Sequence, residues 1–201
     1  EDSMRLQTDV TSVTARRLVA LLAPLNSSDP KTKAALDLLR GWDAVERVDS
    51  AQAALVELWL ARHLPRALLG GMAPRKAAEV LRAVDTEAML GELEKPENAR
   101  KRTNVLLPSL TAAYREMETL QGADTKKWGW GKLHHSLPAH ALLNVVDTNL
   151  KAKLQVGPIP TPGSAHTPNA ASYRASDFRQ TGGASFRVVM DVGSWDNSRA
   201  M

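Results

Sequence analysis

Four histidines, two tryptophans and one aspartate carry most of the chemistry open to this chain. His134 and His135 are adjacent, with His140 and His166 farther along, and imidazoles in that number raise the question of a zinc site. Successive side chains of a strand point to opposite faces, so His134 and His135 make a poor ligand pair unless the backbone between them is irregular. The first carboxylate downstream is Asp147, and none stands at a useful ligand spacing. No metal or other cofactor is therefore expected. Trp128 and Trp130 flank Gly129 and could line an acyl pocket, but tryptophans at period two beside a glycine also suit packing under a turn, each indole N–H requiring an acceptor. Asp191 follows Val188, Val189 and Met190 in what reads as a largely buried strand. A buried carboxylate needs a partner, and a structural ion pair, with Arg187 or with a group from another part of the molecule, is the expectation. Asp196 and Asn197 read as turn residues that bond their own backbone.

The elements that must position these groups are mostly helical. Apolar residues at Val10, Val13, Leu18, Leu21, Leu22 and Leu25 form a helical stripe over Asp9 to Leu25. Asp29 should cap a second helix, with Pro30 in its first turn, Leu36, Leu39 and Trp42 on its buried face and Gly41 at its end. A third helix should start near Ser50 and run through Leu55, Leu58, Trp59 and His63, to be kinked or ended by Pro65. Pro74 is expected to open a short fourth helix through Val80, Leu81 and Val84. The charged stretch Glu92 to Arg102, with Pro96 inside it, reads as a surface connection. Val105 to Leu120 is the next helix, with Pro108 in its first turn and Gly122 as a left-handed cap.

Beyond Gly122 the periodicity fades and glycine, proline and tryptophan become frequent. Ser185 to Val192 is the clearest strand, and Ser172 to Phe178 a weaker one that could pair with it as a hairpin. Gly157 to Gly163, with three prolines, reads as a stiff connector. The fold class expected is α+β, with a helical region over residues 1–122 and a loop-rich β region over 123–201. One hairpin cannot bury both of its faces, so the β part reads as the edge of a sheet whose other strands lie elsewhere.

Composition narrows the function classes. The 201 residues carry 26 Lys and Arg against 22 Asp and Glu, a small and dispersed excess that does not point to nucleic acid. No apolar run is long enough to cross a membrane, and with no cysteine disulfides, thiol catalysis and thiolate-bound metal drop out.

Five blocks in register resemble one known family. They are Met4 to Ser12, Gly41 to Asp43, Ser109 to Tyr114, the TrpGlyTrpGlyLysLeuHisHis block at Trp128 to His135, and the Gly182 to Ser198 segment. Together they resemble the C-terminal part of the β subunit of penicillin acylases (penicillin amidases), which are N-terminal-nucleophile hydrolases. The resemblance implies a fragment of an αββα-type fold and the hydrolysis of an amide to a carboxylic acid and an amine. In that family the nucleophile is a serine exposed as a new N-terminus, whose own α-amino group assists its hydroxyl. Glu1 cannot act so, and Ser3 has no free α-amino group behind Glu1 and Asp2. The family's oxyanion asparagine and calcium ligands correspond to positions upstream, and Asn26, Asn98, Asn104 and Asn144 match no motif for the asparagine.

The resemblance therefore implies no catalytic, cofactor-binding or metal-binding residue within this chain. It implies a structural role for His134, with His135 at the surface or an interface, and a scaffold segment whose partners are the remaining acylase α and β segments. A small-molecule amide, a β-lactam antibiotic or acyl-homoserine lactone among the possibilities, would be substrate of the whole enzyme, in the periplasm or outside the cell. Two other readings stay open: a catalytically inactive helical protein-interaction module on an acylase-derived scaffold, and a small histidine-based zinc hydrolase.

Overall fold

The computed structural model describes residues 2–72, 85–138 and 140–200. Helices dominate to residue 121, and the remainder is loops tied by short strands. After a short α1 (Asp2–Gln7), α2 covers Val13–Leu22, α3 Pro30–Leu39 and α4 Ala51–Leu58. A π turn at Trp59–His63 leads into α5 (Leu64–Met72). Next come α6 (Thr86–Glu94), the 23-residue α7 (Ala99–Gln121) and, in the loop region, α8 (Thr148–Leu154).

Local chemistry sets where these helices begin. The Ser12, Asp29, Ser50 and Asp85 side chains accept backbone N–H groups from Ala15, Thr32, Ala53 and Ala88, supplying the first orphan donors of α2, α3, α4 and α6 with an acceptor. The Asp29 cap, the Pro30 start and the end at Gly41 (φ +73°) match the sequence expectation. Gly122 ends α7 at φ +86°, but its ψ of 170° is extended rather than left-handed helical.

Several boundaries move. The first stripe is shorter than Asp9 to Leu25, because Ser12 starts the helix and leaves Val13 exposed; Leu18 and Leu22 carry its buried face. Pro65 does not stop the third helix. The turn before it widens so that the Leu64 N–H reaches back five residues to the Trp59 carbonyl, and a ring without an N–H is absorbed where the ladder is already re-registered. Glu92 to Arg102 is not a plain connection: α6 runs to Glu94, a 3-10 turn spans Pro96–Asn98, and α7 begins at Ala99, nine residues before Pro108. The helix expected from Pro74 to Val84 lies outside the described residues.

The core is one cluster. Buried α7 residues Leu106, Leu110, Ala113 and Met117 recur at helical spacing and meet Leu36 and Leu39 of α3, Leu55 and Leu58 of α4, and Trp59 and Leu64 beyond. Residues 123–178 lie over this bundle and add Trp128, Trp130 and Phe178 to the same core.

The strands differ most from expectation. β1 (His135–Ser136) pairs antiparallel with β2 (Ile159–Pro160), and β3 (Val188–Val189) with β4 (Arg199–Ala200). The hairpin partner of Val188–Val189 is thus the terminal segment, not Ser172 to Phe178. That stretch instead makes a tight turn, with Tyr173 bridged to Gln180, Arg174 bonded to Asp177 at 2.6 Å and Phe178 at φ +57°. The positive φ swings the Phe178 ring into the core, where it is 2% exposed.

Candidate functional site

Ionisable side chains converge where the loop region crosses the bundle. Glu57 lies on the inner face of α4 and is fully buried, as is Glu46 from the irregular segment between α3 and α4. That segment is held by its backbone: the Glu46 N–H donates to the Val10 carbonyl at 2.9 Å, and the Glu46 carbonyl accepts from the Gly163 N–H at 2.9 Å. The second bond draws in residues 163–173, which bring Ser164, His166 and Tyr173.

The Tyr173 hydroxyl donates to Glu57 Oε2 at 2.6 Å, and His166 Nδ1 stands 3.5 Å from Glu57 Oε1, an ion-pair distance too long for a hydrogen bond. Burial works against the Glu57 charge, but His166, Glu46 and Tyr173 outweigh it and hold the carboxyl below its ordinary range. His166 is the reciprocal case: burial lowers it, Glu57 raises it more, and it ends above its ordinary value. Glu46 is pushed far above the carboxylate range by burial and by the neighbouring Glu57 charge. The two carboxyls are thus driven apart, Glu46 toward its neutral form and Glu57 toward its charged one.

Beside this cluster stands an aromatic group. The Trp130 indole N–H donates to the Gly163 carbonyl at 2.8 Å, and the His134 ring stacks on Trp130 with centroids 4.8 Å apart. Tyr173 and Phe178 meet Trp130 edge-on. His134 Nδ1 lies 2.9 Å from the Thr161 carbonyl, which places the proton on that nitrogen, and burial pulls the ring below its ordinary pKa. Trp128 is also buried, its N–H donating to the Gly122 carbonyl at 2.7 Å. Both tryptophans are core residues with satisfied indoles.

The histidines singled out in the sequence do not converge. His134 is enclosed by aromatics, His135 is half-buried in β1, His140 caps an exposed 3-10 turn and His166 faces Glu57. Among the described residues no three His, Asp or Glu side chains gather at metal-ligand spacing. The Asp191 expectation is overturned. Asp191 is exposed and closes a turn by accepting from the Gly193 and Ser194 N–H groups at 2.9 and 3.1 Å. Arg187 donates to the Asn169 carbonyl at 2.7 Å instead. The strand ends at Val189, so the carboxylate is never drawn inside.

Glu46, Glu57 and Tyr173 were not singled out by their sequence pattern. One signal was present: Glu57 is the lone charge in an apolar run from Ala53 to Leu60, and a carboxylate there requires an interior partner. As both glutamates are closed off from solvent, the cluster can hold segments together and hold a proton, but it cannot touch a substrate in this conformation.

The family model for penicillin amidase matches residues 1–201. The chain belongs to that family. Among curated relatives, an acyl-homoserine lactone acylase QuiP of Pseudomonas fluorescens strain Pf-5 is 29% identical over 178 residues, covering 80% of this chain and 21% of that protein. Its namesake from strain Pf0-1 is 26% identical over 180 residues, covering 81% and 21%. The chain thus spans about a fifth of the length of these relatives. Within the penicillin amidase match, the block from Trp128 to His135 packs against the buried cluster through Trp130, and the block from Met4 to Ser12 meets it through the Val10 carbonyl.

Proposed function

We propose that this chain is a non-catalytic segment of a penicillin amidase-type hydrolase. The whole enzyme cleaves an amide to a carboxylic acid and an amine through an N-terminal serine that lies outside this chain. The reading rests on one observation: the family model matches residues 1–201, while the relatives' alignments to this chain cover only about a fifth of their own length. The buried carboxylates support it, since they are inaccessible and serve to lock helices and loops together. A rigid surround of this kind holds a reacting constellation to the tolerance that catalysis needs. The fold of the whole is of the αββα N-terminal-nucleophile type, and its partners are the remaining α and β segments.

The relatives' names support acyl-homoserine lactones as the substrate class to assay first; residence in the periplasm or outside the cell is part of the same reading and rests on the family resemblance alone. Intact-mass analysis and N-terminal sequencing of the natural protein, joined to an amide-hydrolysis assay, test the reading. A companion polypeptide that begins with serine, with hydrolysis confined to the assembled protein, is the expected result. Turnover by residues 1–201 alone would overturn it.

A further inference from the structure

The geometry points to a proton shared between Glu46 and Glu57, and to Glu46, Glu57 and His166 as a latch that clasps residues 163–173 to the helical bundle and opens in alkaline solution. This concerns the fold alone and stands whether or not the catalytic reading does.

The orphaned atoms carry the argument. Both carboxyl oxygens of Glu46 and Oε1 of Glu57 are buried without a well-formed hydrogen bond, the Ser12 and Ser164 hydroxyls being near Glu46 but not in bonding geometry. Two ionised carboxylates enclosed together would repel each other and leave three acceptors unmet, a combination that interiors do not sustain. A proton on Glu46 turns one of those acceptors into a donor for its neighbour. The Ser12 and Ser164 hydroxyls beside Glu46 favour its charge, but less than burial and Glu57 oppose it.

The charge that remains on Glu57 is met by the Tyr173 hydroxyl and by His166, both from the clasped segment. That segment is otherwise tied by few bonds. The Gly163 N–H reaches the Glu46 carbonyl at 2.9 Å and the Gly163 carbonyl accepts the Trp130 indole N–H at 2.8 Å, the Asn169 N–H reaches the Asp9 carbonyl at 3.0 Å, Arg187 holds the Asn169 carbonyl, and the Ser172 carbonyl accepts the Thr181 N–H at 2.8 Å. Other ionisable groups face the cluster. Glu87 from α6 favours the His166 charge while itself bonded to Arg17 at 2.6 Å. Arg62 faces Tyr173, and Glu57 acts on His134.

The sign follows group by group. His166, raised in the folded state, stabilises fully below its unfolded value of 6.5 and loses that contribution as pH rises through its folded value. Glu46, also raised, binds a proton in the folded state that the open chain releases above 4.5, so every step upward in pH favours opening until its folded value is passed. Glu57, lowered, loses its contribution only in acid. His134, lowered, changes charge only below 6.5. From that value up to about pH 9 Glu46 and His166 act, and both favour release; Tyr173, also raised, joins them only above its ordinary value of 10.0.

Hydrogen exchange read by mass spectrometry over residues 163–173 of the whole natural protein tests the latch between about pH 7 and about pH 9, corrected for intrinsic exchange. Protection in the wild-type protein should fall by at least about tenfold per pH unit, the slope for the one proton that Glu46 releases on opening, with His166 adding to it until its folded value is passed. In Glu46→Gln the slope should be shallower by about one proton throughout that window. Equal slopes in the two proteins would overturn the proposal. Should the variant fail to fold, difference infrared spectroscopy of the wild type decides: a protonated-carboxyl band persisting at neutral pH is expected, and its absence overturns the shared proton.

Discussion

Tyr173 and Glu57, 116 residues apart in the chain, are joined by a 2.6 Å hydrogen bond from the phenol to a carboxylate with no solvent exposure. The bond fastens the loop region to the C-terminal turn of α4. Tyr173→Phe keeps the ring that packs on Trp130 but leaves a buried anion short of a donor. A loss of about 1.5 to 3 kcal/mol in urea unfolding is expected, the range for a hydrogen bond to a charged group. Because the Glu57 pKa is lowered by folding, this contribution is present above the ordinary value of 4.5 and lost as pH falls through the folded value. The variant and the wild type should therefore converge in acid.

Ser109 takes the same part at the junction of α7 and the π turn. Its hydroxyl accepts the Trp59 indole N–H at 2.9 Å and donates to the Val105 carbonyl at 2.7 Å. Ser109→Ala leaves that indole, fully buried, without an acceptor. The expected cost is about 1 to 3 kcal/mol, with the Trp59 contribution to near-ultraviolet circular dichroism altered. Unchanged stability would mean that water reaches the indole.

Gly131 is a matter of space. A Cβ there would lie 2.4 Å from Val48 Cγ1 and 2.8 Å from Pro160 Cβ, while the Gly131 N–H holds the Val48 carbonyl at 2.7 Å. Gly131→Ala must push apart the 43–50 segment and β2. A destabilisation of about 1 to 3 kcal/mol is expected, and Val48→Ala in the same protein should recover part of it. A double-mutant cycle measures that coupling.

How far the sequence disclosed this arrangement depended on the range of the forces involved. Caps are local: Asp29 with Pro30, Ser50 and the turn at Gly41 stood where their side-chain chemistry put them. The indoles of Trp128 and Trp130 found acceptors under turns, as their glycine neighbours implied. Pro65 misled because a proline limits only its own turn, and the π turn that absorbs it is set by packing of Trp59 and Leu64 against α7. Asp191 misled because the β-branched run before it pairs over only two residues. The Glu46, Glu57 and Tyr173 cluster joins positions more than a hundred residues apart, and no local periodicity encodes such a meeting.

The exposed apolar side chains make the last prediction. Phe186, Met190, Val192 and Trp195 are 66%, 61%, 82% and 68% exposed, a concentration beyond scattered surface hydrophobics. Such a surface, on a short two-stranded ribbon that cannot bury both faces, should drive self-association when residues 1–201 are made alone. Sedimentation velocity should show concentration-dependent species larger than 21.9 kDa. Phe186→Ser together with Trp195→Ser should shift the distribution toward monomer without changing the unfolding midpoint of the helical core, since neither side chain belongs to it. A wild-type chain that stays monomeric at high concentration would count against the scaffold-segment reading.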